Sequence, residues 1–182
     1  DREKTRDSLL KFSGLYRDML LSAGKSRRHL GEEIEFCREY LALEKIRYGD
    51  RLDYSIILPP EINTELQVPK FVIQLFAENG VKHGIAGMEH GGKLEIIVRG
   101  ADRDLTVEIR DNGIGRARAA EEQTGSTGKG MKLMTELFSL CNNYYEDRYS
   151  FSVTDLADTM GTPAGTCVTV SIHFRNEPVI IT

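Results

Sequence analysis

Apolar residues along the first part of the chain recur at helical spacing. Leu9, Phe12, Tyr16 and Met19 step by three and four, which predicts one seam of a helix over residues 2–23. Leu10, Leu15 and Leu20 widen that seam beyond what an isolated surface helix shows, and the break at 22–25, with Gly24, ends it. A second helix is predicted from Gly31, because Glu32, Glu33 and Glu35 complement the positive end of a helix dipole. Ile34, Cys37 and Leu41 fall on one side of it and Phe36, Tyr40 and Leu43 on another. Two apolar sides predict a helix covered twice, lodged between a bundle and a globular domain.

From about Leu52 the period changes to two. Tyr54, Ile56 and Leu58 alternate as a strand stopped by Pro59 and Pro60. Pro69 suits the first turn of a helix running to about Gly84. Leu94, Ile96 and Val98, then Leu105, Val107 and Ile109, predict an antiparallel hairpin turning at 101–103. A polar, glycine-rich segment spans Asp111 to Gly130. A helix over 131–142 follows, then a strand at 148–154 and a last strand carrying Val168, Val170, Ile172 and Phe174. This order predicts an α+β fold, a two-layer sandwich with helices on one face of a mostly antiparallel sheet.

Composition narrows the class. At 182 residues a single fold can bury roughly 70% of its unfolded surface, so neither a disulfide nor a metal staple is required. With 40% hydrophobic and 29% charged residues the chain is not of disordered type, and a net charge of −4 argues against a nucleic-acid-coating role. Cys37, Cys141 and Cys167 are far apart and odd in number, so they read as small buried residues of a reducing compartment. No apolar run approaches the ~20 residues of a membrane span, and the charged start is no signal peptide. The expectation is a soluble, cytosolic piece, with a longer parent protein anchored elsewhere left open.

Four segments carry candidate chemistry. In residues 71–84 the stripe Val72, Leu75 and Phe76 is expected to continue through Asn79 and His83, with Lys82 beside them. Polar groups on a buried stripe need partners, because an unpaired buried amide costs about 1–3 kcal/mol. They either cap a neighbouring loop or line a pocket, where an amide oxygen suits Mg²⁺ and cationic groups face phosphate. The run Asp111–Gly115 follows a strand directly. It is either an ordinary turn or a site where glycines admit a flat ligand and a buried carboxylate accepts a hydrogen bond from an exocyclic amine. Residues 125–131 open a helix with glycines, an anion-binding arrangement if they are more than a surface loop. They are no Walker A loop, since Met131 stands where the lysine must be. In residues 165–170, Thr169 points away from the Val168 and Val170 side, as outward strand threonines commonly do.

The order and spacing of the four together resemble the N, G1 and G2 boxes and closing strand of the GHKL ATP-binding domain shared by gyrase, MutL and histidine kinases. More narrowly, the chain resembles sensor histidine kinases of the LytS type. ENGVKHG is similar to that family's ENAIKHG, DNGIG matches its G1 box, and GKGMKLM resembles its GIGLKNV. The upstream LKFSGLYRDML and GEEIEFCREYLALEKIRYGDRL are similar to its linker region, so the resemblance covers about residues 3–174. Two departures stand out: Lys129 where the family has an aliphatic residue, and Gly80 in place of an alanine, which weakens the helix by about 1 kcal/mol. The family's phosphoacceptor stretch, Asn-Pro-His-Phe-Leu-Phe-Asn, does not occur in the sequence.

The resemblance implies a helical linker and dimerisation segment over 1–50, a GHKL kinase domain over 51–175 and a tail over 176–182. It implies that Asp111 bonds the adenine amino group, with Gly113 and Gly115 shaping the base pocket and Thr169 nearby. Asn79 holds Mg²⁺ across the phosphates of ATP, while Lys82, His83 and the amides around Gly128 and Gly130 neutralise them. Glu78 either polarises the nucleophile or only pairs with Lys82 four residues on. Residues 116–129 are expected to form a mobile lid. The implied activity is transfer of the ATP γ-phosphate to a histidine upstream of this piece, then to an aspartate of a response regulator. The full-length protein is expected to be a homodimer, reaching the membrane only through its N-terminal region and binding no nucleic acid. Rival readings are a GHKL ATPase and a nucleotide-sensing module without catalysis. His29, His83, His90 and His173 all lie outside an acceptor motif, so the chain itself is expected not to autophosphorylate.

Overall fold

The computed structural model describes residues 27–85, 88, 90–116 and 129–180, so the helix expected over 2–23 and most of the expected lid lie outside the described residues. Strand β1 (Arg27–His29) leads directly into helix α1 (Leu30–Tyr48). His29 caps that helix: its backbone N–H donates to Glu32 Oε2 at 3.1 Å, a reciprocal arrangement that satisfies an open end. Leu30, Ile34, Cys37 and Leu41 are fully buried along one stripe, as their spacing predicts. The second apolar side behaves differently, with Leu43 and Ile46 exposed and Phe36 and Tyr40 half-buried. Among the described residues the second side is covered only in part, at Phe36 and Tyr40.

A 3-10 turn (Gly49–Arg51) delivers the chain into β2 (Leu52–Ile57). The short strand β3 (Gln67–Pro69) then pairs antiparallel with β1, Pro69 opposite Arg27. Pro69 thus ends a strand instead of opening a helix, and helix α2 (Val72–Asn79) starts three residues later. A π-helical turn (Gly80–Ile85) continues it. Strands β4 (Gly92–Ala101) and β5 (Asp104–Asp111) make the expected hairpin, with Asp102 at φ 51 in the turn. Helix α3 (Lys129–Tyr144), β6 (Arg148–Ala157) and β7 (Pro163–His173) complete the fold.

The main sheet runs in the order β2-β4-β5-β7-β6, parallel between β2 and β4 and antiparallel elsewhere. Its period-two pattern sends Leu94, Ile96, Val98, Leu105, Val107, Ile109, Val170 and Ile172 to one buried face. Helices cover that face. Phe76 of α2 meets Phe151 of β6 at 5.3 Å between ring centroids, and Phe138 of α3 meets the same ring at 5.3 Å. The other face carries charge pairs, including Arg99 Nη1 to Glu108 Oε1 at 2.7 Å and Lys93 Nζ to Glu95 Oε1 at 2.7 Å. The α+β two-layer architecture follows from that division.

The core crosses the boundary expected at residue 50, since the buried stripe of α1 joins the same cluster as the sheet. The end of the chain is also pinned. Val179 is fully buried, its N–H donates to Asp102 O at 2.7 Å, and its carbonyl accepts from Asn63 N–H at 2.7 Å. All three cysteines are free and buried, as expected.

Candidate nucleotide site

Strand β5 leaves the sheet at Asp111, which shares the parity of Val107 and Ile109 and so faces the helix layer. Its register partner on β7 is Thr166. The side chain is 7% exposed, and Oδ1 accepts the Gly113 N–H at 3.0 Å. The Thr166 backbone also donates to the carboxylate. Burial pushes the carboxyl up to about 6, and the two hydrogen bonds, which favour the ionised form, only partly oppose it.

Backbone, not side chains, frames this carboxylate. A Cβ on Gly84 would lie 2.5 Å from Asp111 Oδ1, and one on Gly113 would lie 2.3 Å from the Gly84 backbone. Ile114 N–H closes that crossing by donating to Gly84 O at 3.1 Å. Gly165, at φ +116, passes the Asp111 carbonyl so closely that a Cβ would be 1.9 Å from its oxygen. Gly115 follows at φ +77. Gly80, the departure from alanine, faces Leu94: a Cβ there would lie 2.6 Å from Leu94 Cδ1.

The wall beside Asp111 comes from α2 and the π-helical turn. Its buried stripe is Val72, Ile73, Phe76 and Ala77, with Leu75 half-buried, so the expected stripe through Leu75 is rotated. Asn79 closes α2 in a half-buried position. Beyond it the wider π-helical turn buries Val81, Gly84 and Ile85 and leaves Lys82 exposed. Such turns re-aim side chains and recur at functional sites. Glu78 and Lys82 form an ion pair one helical turn apart. His83, expected on the phosphate wall with Lys82, is half-buried in the same turn. Burial and then the Lys82 charge lower its pKa from 6.5, so the ring is neutral at pH 7, and its Nδ1 is buried with no hydrogen-bond partner.

Thr169 is not brought to Asp111. It pairs with Glu108 and shares the opposite sheet face with Cys167, whose Sγ is 3.9 Å from Thr169 Oγ1. The threonine at the site is Thr166. Its parity with Val168, Val170 and Ile172 is readable in the sequence. Gly128 lies outside the described residues, as does the side chain of Lys129, and Gly130 falls in the first turn of α3. Among the described residues no three His, Cys, Asp or Glu side chains gather as a metal cage. A divalent cation here fits only as the companion of a ligand that supplies most of its oxygens, with Asn79 as an amide donor.

A mostly antiparallel five-stranded sheet under one helix layer, with a backbone-framed aspartate at the end of its central strand, is the architecture of a histidine kinase catalytic domain of the GHKL type. Full-length ShkA, solved in complex with AMPPNP, shares the fold at TM-score 0.60 and 15% identity, over 94% of this chain and 37% of that one. A profile of the histidine kinase family matches residues 1–52. The sensor histidine kinase BtsS of Escherichia coli (strain K12) is 31% identical over 148 residues, 81% of this chain and 24% of BtsS. The sensor protein LytS of Staphylococcus haemolyticus (strain JCSC1435) is 33% identical over 115 residues, 63% of this chain and 20% of LytS. The chain belongs to the LytS-type sensor histidine kinases. It spans about a fifth to a quarter of the length of these relatives.

Proposed function

We propose that this chain is the ATP-binding kinase domain of a two-component sensor, passing the γ-phosphoryl group of Mg·ATP to a histidine and from there to a response-regulator aspartate. One observation carries the reading: a buried carboxylate with unused lone pairs, framed by glycine backbone. Ionised Asp111 accepts a hydrogen bond from the adenine amino group, a charge-assisted bond stronger than a neutral one. Gly113 and Gly115 let the base lie against backbone, and Thr166 borders the same edge. Asn79 supports Mg²⁺, Lys82 and the amides around Gly128 and Gly130 neutralise the phosphates, and neutral His83 contributes a hydrogen bond and no charge.

Phosphoryl transfer needs positioning and charge stabilisation above all. The bond between the γ-phosphorus and the β,γ-bridging oxygen breaks as an imidazole nitrogen bonds to phosphorus, and Mg·ADP leaves. A histidine near its ordinary pKa of about 6.5 already offers a lone pair, so no strong base is required. Glu78, paired with Lys82, serves to hold that lysine until phosphate arrives. A homodimeric parent with this domain on the cytoplasmic side is part of the same reading, as the family resemblance implies. No helix among the described residues is long and apolar enough to cross a membrane.

Calorimetric titration with Mg·ATP tests the reading. Asp111→Ala is expected to weaken binding roughly tenfold to over a hundredfold, the worth of a buried charged hydrogen bond. Equal affinity in the two proteins overturns the assignment. Steady ATP turnover by the parent chain would favour an ATPase instead.

A further inference from the structure

Helix α2 has no cap of its own. The residue before it, Phe71, stands at φ 63, a left-handed geometry disfavoured for a bulky side chain, and makes no side-chain bond to the helix end. Its open N–H groups are satisfied from α1. Glu33 Oε2 accepts the Phe71 N–H at 2.9 Å and Oε1 accepts the Ile73 N–H at 3.1 Å. Glu33 is 0% exposed, and a charge so placed persists only where partners hold it.

The partner is on the linker strand. Arg28 Nε lies 3.1 Å from Glu33 Oε2, as an ion contact without hydrogen-bond alignment. Its guanidinium stacks over Phe36 at 4.7 Å and over Phe71 at 4.4 Å, and those two rings meet edge-on at 5.3 Å. Arg28 itself is fixed by β1, opposite Val68 of β3. One carboxylate therefore joins the linker strand, α1 and the first turn of α2. The whole of α2, with Asn79 at its end, is only eight residues long, about 12 Å along a helix. Where α2 starts decides where Asn79 and the π-helical turn stand relative to Asp111.

We propose that Glu33, held by Arg28, is a positioning residue for the nucleotide site: it sets the placement of α2 and, through it, the Mg²⁺-supporting amide of Asn79. Glu33 itself contacts no ligand. The inference rests on the nucleotide-binding reading above. It also names the route by which the segment before residue 30 bears on the pocket.

The test compares ATP affinity with and without Mg²⁺, at a temperature where each protein is folded by circular dichroism. Parent, Glu33→Gln, Glu33→Ala and Asp111→Ala are titrated. Glu33→Gln removes a buried charge and keeps one acceptor, so it is the variant that decides if Glu33→Ala does not fold. Expected for Glu33→Gln is a loss of at least fivefold in the gain that Mg²⁺ brings, with metal-free affinity changed less than twofold. Glu33→Ala loses more of that gain. A lowered melting temperature with both affinities unchanged makes Glu33 a purely structural cap and overturns the inference. An equal fall of both affinities also overturns it, as general damage to the pocket. Failure of the parent to bind ATP at all sinks the nucleotide reading and this inference together. Parent binding with Glu33→Gln indistinguishable from it sinks the inference alone.

Discussion

The charge of Asp111 is kept against its surroundings. A carboxyl moved from 3.8 to about 6 by burial costs the folded state roughly 3 kcal/mol when ionised. Because the folded pKa exceeds the unfolded one, the native state binds more protons between the two values. Stability from this group is greatest below about pH 4 and falls as pH rises to about 6. Denaturant unfolding of the parent and Asp111→Asn at pH 4 to 7 should show the parent losing that stability relative to the variant, and parallel curves would refute it. Nucleotide affinity should run the opposite way, rising through about pH 6 in the parent as the acceptor ionises and staying flat in Asp111→Asn. Gly84→Ala sets a Cβ against Asp111 Oδ1 and Cγ, at 2.5 and 2.9 Å. It is expected to cost about 1–3 kcal/mol of stability, as overpacking does, and at least tenfold in Mg·ATP affinity. Gly80→Ala meets the flexible far end of Leu94 at 2.6 Å and Asp111 Cβ and Oδ2 at ordinary contact distances of 3.5 and 3.6 Å, and gains helix propensity. Its unfolding free energy should therefore stay within about 1 kcal/mol of the parent.

Among the elements, β1 does most for its length. Arg27 stacks over Tyr145 at 3.7 Å and donates to Asp147 Oδ2 at 2.9 Å and to Tyr149 Oη at 3.1 Å. Its neighbour Arg28 reaches the start of α2, and His29 caps α1 while its Nδ1 lies 2.8 Å from Glu65 O. Three consecutive residues thus tie the turn into β6, the start of α2 and the start of α1 together. Arg27→Ala should lower unfolding free energy by about 1–3 kcal/mol, from a cation–π contact and a partly buried hydrogen bond. Arg27→Lys keeps the charge without the planar stacking, and is expected to recover less than half of that loss. Full recovery by lysine in equilibrium unfolding would show that charge alone matters.

Across the molecule the four histidines have other engagements. His29 is a helix cap, His173 Nδ1 lies 2.8 Å from Asp104 Oδ1, His83 belongs to the pocket wall, and His90 is in an exposed turn. An acceptor must reach the γ-phosphate in line from a separate element. Incubation of this chain with γ-labelled ATP is therefore expected to leave it unlabelled, and addition of a polypeptide bearing the family's acceptor stretch should yield acid-labile phosphohistidine on that polypeptide. Acid-labile label on His29 would contradict the placement described. One continuous core, from the α1 stripe to Val179, makes a single cooperative unfolding transition the expected behaviour of the described body.

Period and punctuation in the chain were enough for the β4–β5 hairpin, β6, β7, α1 and α3, because each buries one face and repeats at its own spacing over many residues. The same local reading placed Asp111 at a strand end among glycines, since strand, turn and carboxylate are contiguous. Contacts between distant residues carry no such signal. Pro69 reads as a helix start until Arg27, far upstream, claims it for a strand. Nothing near Phe71 predicts that α2 is capped by Glu33, and Glu33 in its own helix reads only as a favourable first-turn charge. Local spacing does not show that burial lowers the pKa of His83. Thr169 and Thr166 differ by an odd number of residues, so strand parity puts them on opposite faces, yet only the pairing of β7 with β5 sets Thr166 against Asp111. Local spacing selects which surface an element buries; which residue meets it, and in what charge state, depends on burial and register that exist only once the chain has folded.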